Sequence, residues 1–301
     1  MARSRFLKDT GLTVRMTTVM FLLGGLFVAL IVGLMYALPS YAFFIGLAGI
    51  GIAGWQWWNS DKAAMRAMRA YEVTPEEYPE LHGTIDRLCA LAEMPKPRVG
   101  ISELDIPNAF ATGRSPDRAV VCVTTGIMGK LTPEELEAVL AHELSHVAHR
   151  DVLVMTVAAS AGIVAGMMAR GAQYGALFGR SRSKEGAIGL VGALVISLVV
   201  YAISFFLLRL LSRYRELCAD RAGAYLTMKP AALATALQKI SGEMAAIPQR
   251  DLRASKAMNA FFIAPAISGA SLKTLTSTHP SLEQRLEQLA RIEAELGRTQ
   301  P

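Results

Sequence analysis

Cysteine is scarce in this chain: three stand among 301 residues, at Cys89, Cys122 and Cys218. Their odd number and wide spacing exclude a CxxC motif and point to reduced thiols on a cytosolic side. A buried, inert thiol is the ordinary role for such residues. Charge is thin as well. Charged residues make up 19% of the chain and hydrophobic ones 52%, a balance that excludes an ordinary soluble enzyme. Charge is missing altogether from residues 16–38, MTTVMFLLGGLFVALIVGLMYAL, a stretch longer than the ~20 residues that cross a bilayer. It is missing again from 41–58, 152–169 and 187–208. The second of these runs ends in Trp55, Trp57 and Trp58, as at a membrane interface.

Two further absences narrow the reading. Arg3, Arg5, Lys8 and Arg15 precede the first apolar run, as in a secretion signal. That run, however, exceeds the roughly 7–15 apolar residues of a cleaved leader, and a second run follows at once, so a membrane anchor is expected. Nothing resembles a nucleic-acid module, and no nucleic-acid partner is expected. The net charge of +6 comes largely from residues flanking the apolar runs, where anionic headgroups and membrane orientation explain it.

What is present falls into four parts: a hairpin over 1–58, a polar region over 59–151, a second hairpin over 152–208 and a second polar region over 209–301. Residues 59–92 read as helical, broken at Pro75 and Pro79, with a stripe of Leu81, Ile85, Leu88 and Leu91. Strands are expected at Arg98–Ser102, Asn108–Gly113 and Arg118–Thr124, separated by Pro and Asp turn signals. Thr132-Pro133-Glu134-Glu135 is a capping box with proline at the first helical position, so a helix starts there. The fourth apolar run is expected to continue as helix to about Met228, followed by a helix over 231–246 and an irregular stretch over 247–278. Ser281 caps a last helix whose stripe is Leu282, Leu286, Leu289, Ile292 and Leu296.

The chemistry sits in the helix that begins at Thr132. His142-Glu143-Leu144-Ser145-His146 is an HExxH pattern. Histidines four apart share one helical face and reach one metal ion; the glutamate between them can act as general base toward water. A catalytic zinc takes three protein ligands and leaves a fourth position open. Glu216, in RYRELCAD, is the best third candidate, with Asp220 one turn further on the same face. Asp220 would accept the free ring N–H of a liganding histidine. Ala219 and Gly223 on that face would let the two helices approach closely. Depth agrees: at 1.5 Å per residue His146 lies ~9 Å and Glu216 ~12 Å beyond the apolar runs that follow and precede them.

HELSHVAHRD, then RELCAD, then THPSLEQR resemble the HtpX-type membrane zinc metalloproteases, relatives of the CaaX prenyl endopeptidases. The resemblance runs in order from the N-terminal hairpin to Arg285. It implies a mainly α membrane protein: four transmembrane helices in two hairpins, plus a gluzincin-like α+β zinc peptidase domain with a small β-sheet. It implies one zinc ion per chain, held by His142, His146 and Glu216, with Glu143 as catalytic acid/base and Asp220 as the aspartate of the ExxxD signature. Asn108-Ala109-Phe110-Ala111-Thr112-Gly113 matches the family's PNAFATG segment; as a strand bordering the cleft it would pair with an extended substrate. His279 is placed by the family near the metal, as oxyanion stabiliser or as occupant of the open position. Arg285 is a weaker candidate for the site. His149, one turn beyond His146, reads as surface or as a supporting residue outside the ligand set, and Asp151 at the membrane edge is read in the same way.

The expected function is a multi-pass inner-membrane endopeptidase with a cytoplasmic active site. It would cleave unfolded or membrane polypeptides in quality control and stress response. A dedicated CaaX-type processing protease is the alternative within enzymes, against which four short spans cannot enclose a large chamber. A non-catalytic scaffold or holdase is the alternative outside them, against which stands the intact Glu143. One conflict concerns topology: the loop between the third and fourth runs carries Arg170, Arg180, Arg182 and Lys184 against Glu185, contrary to the positive-inside trend. A full second hairpin is expected nevertheless.

Overall fold

The computed structural model describes residues 10–37, 42–178, 184–246 and 278–299. Most of the irregular stretch expected over 247–278 lies outside the described residues.

The apolar runs form long helices: α1 (Thr10–Ala37), α2 (Ala42–Trp58), α7 (Asp151–Phe178) and α8 (Lys184–Thr227). Segments of α1, α7 and α8, over Val14–Leu34, Asp151–Arg170 and Val191–Thr227, are long and apolar enough to cross a membrane. α2 has 17 residues, short of the ~20 a span needs. The described residues therefore hold three candidate spans, against the four that the apolar runs lead one to expect. The helices still form one bundle, with α1 on α7 and α8 and α2 on α7. Leu30 and Leu34 of α1 are buried with Val164 and Ala193. Gly49 is what lets α2 close on α7, since a Cβ there would fall 2.1 Å from the Val164 side chain. Phe21, Trp55 and Ile188 remain exposed on the outside of the bundle, as lipid-facing residues do.

α8 has 44 residues in one unbroken helix, ~66 Å at 1.5 Å per residue, against a hydrocarbon core of ~30 Å. Its apolar first part is long enough to cross that core, with length to spare for turns beyond it.

Between the membrane helices lies a four-stranded sheet of order β1-β2-β4-β3, with β1 (Ala70–Glu72), β2 (Arg98–Ser102), β3 (Ala109–Thr112) and β4 (Val120–Thr124). β2 and β4 run parallel, and β1 and β3 flank them antiparallel. The three expected strands are present. β1 is an addition: residues 59–92 read as helical in sequence, yet they divide into α3 (Ser60–Ala67), β1 and α4 (Pro79–Ala92). Arg69 takes φ 49°, which ends α3, and Val73 extends the pairing by donating to the Val99 carbonyl. That pairing is long-range, and a helical stripe cannot reveal it.

The core joins Ile85 and Leu88 of α4 with Ile101, Val121 and Val123 of the sheet and Leu140 and Leu144 of α6 (Pro133–Ala148). Leu233 and Leu237 of α9 (Pro230–Ala246) and Leu289 and Ile292 of α10 (Leu282–Thr299) close it. After the short α5 (Thr125–Lys130), α6 begins where its capping box predicts. Thr132 Oγ1 accepts from the Glu135 amide at 3.3 Å, and Glu135 Oε2 accepts from the Thr132 amide at 2.9 Å. Ser281 and Gln284 make the same reciprocal pair at the start of α10. α6 stops at Ala148, Arg150 takes φ 54°, and α7 begins at Asp151.

Candidate metal centre and substrate cleft

α6 is buried on nearly every side from Ala138 to Ser145, and α8 crosses it at Gly223. A Cβ on Gly223 would lie 2.9 Å from the His142 amide nitrogen and 3.1 Å from its Cα, so only glycine permits this crossing. Ala219, one turn earlier, is buried as well. The close approach delivers Glu216 to the two histidines of α6.

There the ring nitrogens Nε2 of His142 and His146 face one another at 3.2 Å. Glu216 Oε2 lies 3.7 Å from the first and Oε1 3.5 Å from the second. One ligand atom from each of the three residues falls within 4.8 Å of the others. The other ring nitrogens explain why Nε2 is free to bind. His142 Nδ1 lies 2.9 Å from Asp220 Oδ1, and His146 Nδ1 lies 2.5 Å from Asp151 Oδ2. At His146 the Asp151 carboxylate accepts the Nδ1 proton and leaves the Nε2 lone pair exposed; Asp220 lies within reach to do the same for His142. Two lone pairs aimed at each other beside a carboxylate repel unless a cation lies between them, and this N, N, O donor set suits one. Burial opposes the charge on His146, but the bond to Asp151 and the carboxylates around it raise its pKa to about 9. A dication between the Nε2 atoms would replace that proton.

Glu143 is 4% exposed. Burial raises its carboxyl pKa above the ordinary value, while the His142 and His146 rings and the backbone of Ala111 pull it back. The Ala111 contact lies at the outer edge of the sheet, where no further strand pairs with β3 among the described residues. Thr124 donates to the Asn108 carbonyl at 2.9 Å in the same register that pairs Ala109 with Val123. Antiparallel ladders alternate, so Asn108 and Phe110 turn their backbone groups to β4, whereas Ala109 and Ala111 turn theirs outward. Of the four residues expected to bind substrate, these two alanines offer main-chain groups at the edge. Asn108 instead pins the strand, its own amide donating to Thr124 Oγ1 at 2.9 Å. Ala109, Ala111, Glu143, Glu216 and His279 line one cleft of about 610 Å³.

His279 Nδ1 lies 3.2 Å from Glu216 Oε2, inside the cluster. Arg285, expected only as a weak candidate, is 2% exposed. It grips Asp220 with two donors, Nε at 2.7 Å and Nη2 at 2.6 Å. His149 is exposed, its Nδ1 against the Ser145 carbonyl at the end of α6, and is not among the residues lining the cleft. Asp151, peripheral on a sequence reading, is buried against His146, with Arg215 Nη2 2.6 Å from the same oxygen. On a continuous helix a residue five positions on lies about 140° around the axis, so no helical spacing pairs His146 with Asp151. The left-handed corner at Arg150 makes the pair.

The family model described as "Peptidase family M48" matches residues 75–293. "Protease HtpX homolog 1" of Streptomyces coelicolor is 54% identical over 296 residues, covering 98% of this chain and 97% of that protein. "Protease HtpX homolog" of Moorella thermoacetica is 50% identical over 289 residues, covering 96% of each. The crystal structure of S. mikatae Ste24p superposes with a TM-score of 0.54 at 18% identity over 92% of this chain. This chain spans 65% of that one, and the likeness is one of fold.

Proposed function

This chain belongs to peptidase family M48, and we propose that it is an integral-membrane zinc endopeptidase whose ion is held by His142, His146 and Glu216. The coarse activity follows from the family: it is a membrane metalloprotease, with three apolar helices to seat it. The finer reading rests on one observation, the convergence of the two Nε2 atoms with the Glu216 carboxylate beside a free strand edge.

Bound there, zinc would supply Lewis acidity toward the scissile carbonyl and toward water. The chain's own residues do the rest. Ala109 and Ala111 hold the substrate extended along β3 through main-chain hydrogen bonds, which read backbone rather than side chains. Glu143 takes a proton from the attacking water and returns it to the leaving amine nitrogen. His279 is the candidate to donate to the developing oxyanion. Asp220 and Arg285 keep His142 oriented. No covalent intermediate is needed, so no thiol or hydroxyl nucleophile enters; burial raises the Cys89 pKa to about 11 and that of Cys122 to about 12. With α2, at 17 residues the short end of the ~17–25 range for a span, taken as a fourth crossing, the basic N-terminus and both polar halves fall on the cytoplasmic side. An edge that reads backbone suits unfolded or damaged membrane polypeptides, the substrates of quality control under stress.

The test is Glu143→Gln in the full chain, assayed on an unfolded membrane polypeptide with zinc content measured in parallel. Cleavage is expected to fall by about 10²–10⁴-fold with zinc retained. Undiminished cleavage would overturn the reading.

A further inference from the structure

Each histidine of the metal cluster heads a relay of the same kind. His142 Nδ1 meets Asp220, and Arg285 clamps Asp220 from α10. His146 Nδ1 meets Asp151, and Arg215 clamps Asp151 from α8. The two relays match in chemistry but differ in origin. The first is drawn from α8 and the C-terminal helix. The second is built where α7 and α8 leave the membrane, because Asp151 is the first residue of α7 and Arg215 adjoins Glu216.

Resting on the reading that His146 is a zinc ligand, we propose that Asp151 is its positioning residue. With Arg215, Asp151 makes zinc affinity depend on how the α7–α8 hairpin is seated. Three observations carry this. The contacts are short, 2.5 Å to His146 and 2.6 Å to Arg215. Asp151 is buried at 6% exposure, and His146 and Arg215 are largely covered at 14% and 11%, so water competes weakly for their charges. Asp151 also does not do what an aspartate opening a helix usually does. Its Oδ2 serves His146 and Arg215, and its Oδ1 makes no hydrogen bond among the described residues, so it caps no amide of α7.

Orientation through Nδ1 fixes both the tautomer and the direction of the Nε2 lone pair, and carboxylates in this position are worth about 10–100-fold in metal affinity. Arg215 matters because it holds the carboxylate of α7 onto α8, the helix that carries Glu216. The hairpin and two of the three ligands are thereby tied at one point.

The experiment measures zinc affinity of the detergent-solubilised full chain by competition with a chelator, alongside the melting temperature of the zinc-free protein. Asp151→Asn is expected to bind zinc about 10–100-fold more weakly with its zinc-free melting temperature unchanged. Arg215→Met should weaken binding in the same direction, and Arg215→Lys should restore it. Should Asp151→Asn fail to fold, the Arg215 pair carries the test alone. If Asp151→Asn, or in its place Arg215→Met, binds zinc as the parent does while His146→Ala binds it weakly, the positioning role is overturned and the metal-site reading stands. If His146→Ala also binds as the parent does, both are overturned.

Discussion

The chemistry at the residue scale is set by burial. Glu143 is buried, so its charged form is disfavoured and its pKa rises above the ordinary value; the adjacent imidazoles limit the rise. A base works only when deprotonated. A raised pKa therefore means that the active form is lost earlier on acidification than for an exposed glutamate. The expected outcome is an acidic limb in the profile of log kcat/KM against pH whose midpoint lies above the ordinary carboxyl value of 4.5. Steady-state rates on a peptide substrate, measured with zinc in excess so that ligand protonation is compensated, would check it. An acidic limb at or below that value would show that the charges of the metal and the imidazoles outweigh burial at Glu143. The HExxH spacing alone identifies Glu143, because i, i+1 and i+4 are fixed by helix geometry. Its pKa depends on the closing of β3 and α8 around it, which no local spacing encodes.

The free side of β3 is the functional surface at the element scale. Because the ladder phase turns Ala111 away from β4, removing its N–H costs the sheet no pairing bond. Ala111→Pro should lower kcat/KM by about 10–100-fold, through lost alignment of an extended substrate and through loss of the backbone donor to Glu143, with a smaller fall in melting temperature than a substitution that breaks the ladder. Phe110→Pro, one residue earlier, removes a bond to β4 and should destabilise the fold instead. Thermal unfolding and peptide kinetics on both variants would separate the two, and equal destabilisation would contradict the outward phase of Ala111. Much at this scale is legible in sequence: the Thr132 capping box, the Ser281 cap and the strand at Arg98–Ser102 are local patterns and form where they are read, while the strand read at Arg118–Thr124 begins at Val120, after a turn over Pro116–Arg118. β1 is not legible, since its three residues are strand only because β2 lies beside them.

At the scale of the whole molecule, α8 is one rod that carries both a candidate membrane span and the third ligand. Its register against α6 is set at Gly223 and in the apolar bundle by Leu211 against Val19 and Leu23. Inserting two alanines after Leu211 would turn Glu216 by about 200° relative to the bundle. The expected outcome is lost zinc binding with membrane insertion intact, checked by metal analysis of the purified membrane fraction. Retained zinc would show that the site tolerates rotation of α8 and is not rooted in the bilayer as described.

Membrane residence, the helix that bears the metal pattern and the candidacy of His142, Glu143, His146 and Glu216 are all written in the chain's local order. Each follows from a period or a run length that the backbone imposes on neighbouring residues. The partners are decided elsewhere. Arg285 reads from the sequence as one more solvated arginine and becomes a buried clamp only when α10 packs on α8. Asp151 stands five places from His146 and meets it only because Arg150 turns left-handed and α8 brings Arg215 alongside. A spacing can nominate a ligand, since ligands on one helix share its period. The charges that orient the ligand come from other helices, and their proximity is a property of packing.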